Sequence, residues 1–356
     1  MCEYFTKGIN QDGYMLCLHC NMKKYKHLIF MYIYNITSQC DDIILLIQDY
    51  IKVDIQTIAG GTENTFVILQ DNTIKCWGKN VCGHRNPPDS IQGKVLSIDS
   101  SLRHSVALLN NNTIECWGDN SYGQCNVPDS IQGKVVSIKC GVDFSCALLN
   151  NMTVECWGDN NDMQCNVPDS IQGKVESLSC SIDYSYVLLN DKTVKCWGNN
   201  IYNNWGQCNP PDSIQGNNHN VNINNDNVIG MVVMIDCGNN HSCALLNDGS
   251  IKCWGDNRYA QCKSPDSKQG KIISISCGYF HSCALLNNNT IICWGINNYG
   301  QCNVPDSIQG KVISISCGGH HNIALLNDNT IKCWGYNSYG QCDVPDSIQG
   351  LIMRKN

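Results

Sequence analysis

The sequence predicts an all-β fold, a seven-bladed β-propeller of three-stranded antiparallel blades with a short non-repeat segment before it. Three observations predict it. A Cys-Trp-Gly triplet occurs seven times, with tryptophans at Trp77, Trp117, Trp157, Trp197, Trp254, Trp294 and Trp334. Their spacings are 40, 40, 40, 57, 40 and 40 residues. Within each interval three short β-branched runs are separated by Gly, Asn and Asp, and no ten-residue stretch carries a helical period.

The unit from Gly270 to Gln309 shows each element in turn. Ile273-Ser274-Ile275-Ser276-Cys277 alternates apolar and small polar residues, as a half-buried strand does. Ser282–Leu286 is the second strand and Thr290–Trp294 the third. The tips between them, Asn-Asn-Asn here and Asn-Asp-Gly elsewhere, suit hairpin turns because Asn and Gly tolerate positive φ. The Pro-Asp-Ser-Ile-Gln-Gly stretch is the turn to the next blade: Pro fixes φ, Asp caps locally and Gly takes the awkward angle. One meander cannot bury both of its faces, whereas seven in a row can close a ring and hide all but short edges. An open β-solenoid is the competing architecture; meandering hairpins at this period favour the ring.

The expected organisation is a Cys-containing segment over 1–52, the propeller over 53–350 and a tail over 351–356. The long interval holds extra residues near Trp205 and an insert over 217–230, in the link between blades 4 and 5. Its Asn-, His- and Asp-rich part, 217–227, has the composition of a disordered surface loop.

Composition excludes several classes. Only 15% of residues are charged and the net charge is −7, with no Lys/Arg run, so nucleic-acid binding through phosphate neutralisation is not expected. No apolar run approaches the roughly 18 residues of a membrane span. Met1–Phe5 lacks the basic-then-apolar layout of a secretory signal. No phosphate loop, activated nucleophile or paired acids suggests catalysis, so a non-enzymatic protein is expected.

Cysteine is abundant, 26 residues, and 21 of them fall at four repeat positions. The first ends strand one (Cys140, Cys180, Cys237, Cys277, Cys317) and the second lies in strand two (Cys146, Cys243, Cys283). The third precedes each repeat Trp, and the fourth follows Gln (Cys125, Cys165, Cys208, Cys262, Cys302, Cys342). Fourth and first positions are lost together where Arg85 and Ser100 stand, which suggests inter-blade disulfides Cys125–Cys140, Cys165–Cys180, Cys208–Cys237, Cys262–Cys277 and Cys302–Cys317. Second and third positions lie ten residues apart across a hairpin, which suggests Cys146–Cys156, Cys243–Cys253 and Cys283–Cys293. Small buried thiols and repeated zinc sites are the alternatives. If the bridges form, the chain matures in a virion or another oxidised compartment; otherwise host cytoplasm is expected. In the N-terminal segment Cys17 and Cys20 have zinc-knuckle spacing, and His27 and Cys40 could complete four ligands; no other cofactor is expected.

Residues present in every blade are expected to be structural, so the seven tryptophans read as packing anchors whose indole N–H finds a partner. His104, His241, His281 and His321 share one position and read as turn histidines bonded to backbone. A binding face on a ring needs asymmetry. The departures from the repeat are the stretch 82–88 with His84 and Arg85, the Leu102-Arg103 pair, and the region around Trp205.

Ala-Leu-Leu-Asn-Asp-Gly-Ser-Ile-Lys-Cys-Trp-Gly-Asp-Asn over 244–257, with His241 and Ser242 before it and Tyr259 and Gln261 after, resembles the repeat of the regulator of chromosome condensation family. The resemblance covers about 53–350. The short blades are similar to those of the bacterial β-lactamase inhibitor propeller and, in their cysteine content, to copies in giant viruses of amoebae. The resemblance implies a propeller scaffold or interaction module that binds proteins or itself, including a disulfide-stabilised component of a giant-virus particle. Guanine-nucleotide exchange or chromatin association, and a ubiquitin-pathway adaptor, are the alternative functions it implies.

Overall fold

A computed structural model describes residues 55–198, 205–215, 230–265 and 270–348. The candidate zinc ligands Cys17, Cys20, His27 and Cys40 and the insert over 217–227 lie outside the described residues. Among the described residues 21 strands form seven three-stranded antiparallel sheets, each made from one uninterrupted stretch of chain. The first strands are Ile55–Gly60, Val95–Ser100, Val135–Cys140, Val175–Cys180, Val232–Cys237, Ile272–Cys277 and Val312–Cys317. The second are Asn64–Leu69, His104–Leu109, Phe144–Leu149, Tyr184–Leu189, His241–Leu246, His281–Leu286 and His321–Leu326. The third are Ile74–Gly78, Ile114–Gly118, Val154–Gly158, Val194–Gly198, Ile251–Gly255, Ile291–Gly295 and Ile331–Gly335.

Each second strand is buried over its whole length, because it meets a neighbouring blade on both faces. Alternate side chains go to opposite neighbours. In blade 2, Val106 and Leu108 pack with Val135, Ile138 and Trp157 of blade 3, whereas Ala107 and Leu109 pack with Phe66 and Ile68 of blade 1. The core is therefore a set of wedges between blades. The wedge that closes the ring joins Ile55, Val67 and Trp77 to Ile323, Leu325 and Ile348.

The same polar joint recurs at each seam. The indole N–H of Trp157 donates to the Gln124 carbonyl of the preceding blade at 2.9 Å, and Ser145 Oγ donates to the same oxygen at 3.0 Å. One buried carbonyl with two lone pairs thus takes both donors. Trp117, Trp197, Trp254, Trp294 and Trp334 make the equivalent bond, to His84, Gln164, Gln207, Gln261 and Gln301. At ring closure Trp77 and Thr65 both donate to Gln341, at 3.0 and 2.9 Å.

The shared histidine position also belongs to the seam. The sequence suggested turn histidines bonded to backbone; these residues open the second strand, and Nε2 of each reaches a side chain in the next blade. His104 Nε2 lies 2.9 Å from Ser145 Oγ, His241 Nε2 2.8 Å from Ser282 Oγ, and His321 Nε2 3.0 Å from Thr65 Oγ1. His281 Nε2 meets Asn322 Oδ1 at 2.9 Å, so this ring donates. Burial holds all four rings below the usual histidine range, His104 and His281 at about 4 and His241 and His321 at about 3.

Two local details differ from expectation. A bulge at the start of each first strand breaks the expected alternation: in blade 6 Ile272 is buried, whereas the extra residue Ile273 turns outward. Leu96, Val136, Val233 and Ile313 are exposed at the same place. In the links, Asp129 makes no capping bond through its side chain; the short 3-10 turn Asp129–Ile131 is fixed by burial of Ile131 and by Gln132 Oε1 accepting from Ile114 N at 2.8 Å. No helix among the described residues is long and apolar enough to cross a membrane.

Candidate protein-interaction face

The first and third strands of a blade run the same way in an antiparallel sheet. The turn after strand one and the loop after strand three therefore emerge at one end of the ring, and differences between blades collect there. On blades 5 to 7 these loops supply aromatic rings in edge contact. Tyr259 meets Phe280 with centroids 5.6 Å apart, Tyr279 meets His320 at 5.5 Å, and Tyr299 bridges His320 at 5.6 Å and Tyr336 at 4.7 Å. Tyr336 meets Tyr339 at 6.0 Å, and Lys79 of blade 1 sits 4.2 Å over the Tyr339 ring. Lys79 is held from its other side by Glu63. At the blade 4 end, Arg258 stacks 4.2 Å from the Trp205 ring while gripping buried Asp256 through two nitrogens. The arc from Trp205 to Tyr339 is thus continuous, and Trp205, Tyr259, Tyr299 and Tyr339 are each more than two-fifths exposed.

The same loops of blades 2 to 4 are acidic. Arg103 lies 3.9 Å from Asp119 and 4.0 Å from Asp143. Burial, reinforced by Asp162, Asp159 and Asp143, pushes the Asp183 carboxyl up to about 6. Burial likewise raises Asp143, whereas a hydrogen bond from Ser121 lowers Asp119. One end of the ring thus carries an aromatic half and an acidic half. Of the departures noted in the sequence, Arg103 and Trp205 fall on this face. His84 and Arg85 instead serve the joint, the His84 carbonyl taking Trp117 and Ser105, and Arg85 donating to the Gly78 carbonyl at 2.9 Å. The aromatic arc itself was missed in the sequence, although Tyr or Trp two residues before the link Gln recurs at Tyr122, Trp205, Tyr259, Tyr299 and Tyr339.

The face surrounds a channel mouth of about 160 Å³ lined by the ends of the first strands. Lys139 stands there between Asp99 and Asp236, and Asp99, followed by Asp236, raises its pKa. Asp99 Oδ2 also accepts from Cys140 N at 2.7 Å, and Asp236 Oδ2 from Cys277 N at 2.8 Å, so both carboxylates bind neighbouring blades together.

The cysteines divide. Cys146–Cys156, Cys243–Cys253 and Cys283–Cys293 are bonded between directly opposed residues of strands two and three. The five inter-blade bridges are not formed. Cys208 is bonded to Cys196, not to Cys237. Cys125 turns to Cys116, sulfur to sulfur 2.8 Å, while Cys140 faces the Asp99 carbonyl at 3.4 Å. Cys165, Cys262 and Cys302 face carbonyls in their own loops at 3.2 to 3.3 Å. Their expected partners point elsewhere: Cys180 to Ser185, Cys277 to the Asp236 carbonyl and Cys317 to the Ser276 carbonyl. The physical reason is position: fourth-position sulfurs lie beside strand three of their own blade, and first-position sulfurs sit on the channel strand of the next.

Two buried groups, His241 with Cys243 and Cys277, and His281 with Cys283 and Cys317, bring donor atoms within 4.8 Å of one another. Their chemistry suits a soft metal poorly here. Cys243 and Cys283 are held in disulfides, and the space between donors is filled by Ser282 Oγ, 2.8 Å from His241 and 3.9 Å from Cys243, and by Asn322 Oδ1 in the second group.

A profile of the regulator of chromosome condensation (RCC1) repeat matches residues 95–124, 135–164, 232–261, 272–301 and 312–341. The chain is an RCC1-like repeat protein. The matched stretches of this RCC1-like chain are blades 2, 3, 5, 6 and 7, each from the first strand to the loop Gln. Blades 1 and 4 lie outside them; blade 4 carries Tyr184 and Tyr186 where blades 5 and 6 place His and Cys. Among solved structures the RCC1-like propeller is similar to Prp20p of Saccharomyces cerevisiae, at 18% identity over 85% of this chain and 87% of that one, TM-score 0.58. It is also similar to the ectodomain of the Arabidopsis thaliana receptor kinase ACR4 (19% identity, 80% and 96% covered, TM-score 0.58) and to human WBSCR16 (20%, 77% and 87%, TM-score 0.59). At these identities the likeness concerns the fold. No curated protein sequence matches the chain.

Proposed function

We propose that this RCC1-like propeller is a non-enzymatic scaffold that takes a protein partner on its loop-rich face. The observation that carries the proposal is the unbroken aromatic arc from Trp205 to Tyr339, set against the acidic half formed by Asp119, Asp143, Asp159, Asp162 and Asp183. Tyr and Trp give large contact area at little entropic cost, and clustered carboxylates favour a cationic surface. The partner surface that fits is basic beside apolar. The published description of Prp20p names binding to Gsp1p and histones, which supports a protein-binding role for this architecture.

The test is a titration with short peptides that pair Lys/Arg with Leu or Phe, followed by fluorescence of exposed Trp205. Saturable, salt-sensitive binding is expected, weakened tenfold or more by Tyr299→Ala combined with Tyr259→Ala, with no binding of an acidic peptide of equal length. Equal binding of acidic and basic peptides, or indifference to the double substitution, would sink the proposal.

A further inference from the structure

The third-position cysteine has two neighbours, and its partner differs between blades. It lies opposite the second position across a close strand pair, with Cα atoms 4.1 Å apart where both are Cys. It also lies beside the fourth position in the loop that follows its strand. Where the second position is not Cys, the third turns to the fourth in blades 2 and 4, whereas Cys333 and Cys342 of blade 7, with Ile323 opposite, both remain thiols. In blade 2, with Val106 opposite, Cys116 meets Cys125; in blade 4, with Tyr186 opposite, Cys196 is bonded to Cys208. Where the second position is Cys, as in blades 3, 5 and 6, the third bonds across the sheet and leaves Cys165, Cys262 and Cys302 as thiols.

Those loop thiols have not moved away. Cys165 donates its N–H to Asn160 Oδ1 at 2.9 Å and points Sγ at the Asp159 carbonyl at 3.2 Å. Cys125 does the same with Asn120 at 2.8 Å and Asp119 at 3.3 Å, and its sulfur touches Cys116. Cys262 and Cys302 repeat both bonds. The loop thiols of blades 3, 5 and 6 thus hold the place that Cys125 holds beside Cys116 in blade 2.

We propose that Cys156, Cys253 and Cys293 are exchange sulfurs, each able to hold its disulfide either to the buried strand cysteine or to the loop cysteine, so that blades 3, 5 and 6 carry out internal thiol–disulfide exchange. In blade 3 the Cys165 thiolate attacks Cys156 Sγ. The Cys156–Cys165 bond forms, the Cys146–Cys156 bond breaks, and Cys146 leaves as a thiolate that takes up the proton Cys165 gave to solvent. Nothing is oxidised or reduced overall. The two forms differ in which thiol is left: a fully buried one at Cys146, or a half-buried one in the loop beside the interaction face. Burial raises Cys165 and Cys262 to about 12 and Cys302 to about 11, so thiolate is scarce at neutral pH and exchange accelerates with alkalinity.

Non-reducing peptide mapping of the wild-type chain tests this. Samples oxidised, incubated at pH 7, 8 and 9 and then alkylated should contain Cys156–Cys165, Cys253–Cys262 and Cys293–Cys302 alongside the strand pairs. Equilibrium should be approached about tenfold faster per pH unit. Only strand pairs at every time and pH would overturn the proposal. The variant Cys146→Ser supplies the second arm: mild oxidation should link Cys156 to Cys165. Alkylation of both while Cys196–Cys208 stays bonded, which reports an intact fold, would overturn it as well.

Discussion

The seams between blades and the loop-rich face are built by the same forty-residue unit and treat it oppositely. At the seam, Trp157 and Ser145 share the Gln124 carbonyl as Trp77 and Thr65 share that of Gln341, two blades away. On the face, the turn position after strand one is Asp143 in blade 3, Phe280 in blade 6 and His320 in blade 7. The seam is buried, so a change at one of its shared bonds removes a partner from a buried polar group. The face is wet, so change there is cheap and asymmetry accumulates. Repetition marks what holds the ring together, and its breakdown marks where a partner is met.

The largest expected effect falls on the seam and comes with acid. His104, His241, His281 and His321 are neutral when folded, with pKa values of about 3 to 4, whereas an unfolded histidine titrates near 6.5. A lowered folded pKa gives stability that is present above pH 6.5 and lost as pH falls toward 4. Each ring contributes roughly 3 kcal/mol to that loss, and four together are comparable with the whole margin of a typical domain. Circular dichroism at fixed temperature should show cooperative unfolding between pH 6 and 4 with uptake of several protons. A chain still folded at pH 3.5 would mean that the seam is not what holds the ring.

Next is a paired substitution. Trp157→Ala removes a wedge side chain and one of the two donors to the Gln124 carbonyl, and should cost about 3–5 kcal/mol in denaturant unfolding. Tyr299→Ala, on the face, should change stability by no more than about 0.5 kcal/mol. Equal costs would erase the distinction between the two regions. The smallest effect is on the face itself. Asp183, raised to about 6, favours the fold when protonated; that contribution is present below the ordinary carboxylate range and is lost as pH rises through 6. Asp183→Asn should therefore stabilise at pH 8, by roughly 1 kcal/mol at most after solvent screening, and do nothing at pH 4.5. A gain at both pH values would assign the effect to packing instead of charge.

The fold was legible because a fixed period, three β-branched runs and turn-forming tips all point to one architecture. The opposition of Cys146 and Cys156 was legible too, since ten residues across a tight hairpin leave one register. What the sequence could not carry is neighbourhood between distant elements. The joint loss of cysteine where Arg85 and Ser100 stand suggested a bond between blades, yet the loop sulfur is turned by Asn120 and its equivalents toward strand three of its own blade. The bulge at Ile273 was hidden because two adjacent isoleucines look alike until one is forced outward. The aromatic arc depends on packing between neighbouring blades: Tyr299 and Tyr336 belong to different blades in sequence and lie 4.7 Å apart in space.

Every sheet is made from its own uninterrupted stretch, so the ring closes without borrowing a strand from its far end. The joint between Gln341 and Trp77 is the same joint as that between Gln124 and Trp157. In genetic terms the blade is a module: duplication or deletion of one 40-residue segment adds or removes a whole sheet and breaks none. Recombination between neighbouring copies therefore acts on the circumference of the ring, and so on how many positions the face can display, while each seam is rebuilt from parts already in place.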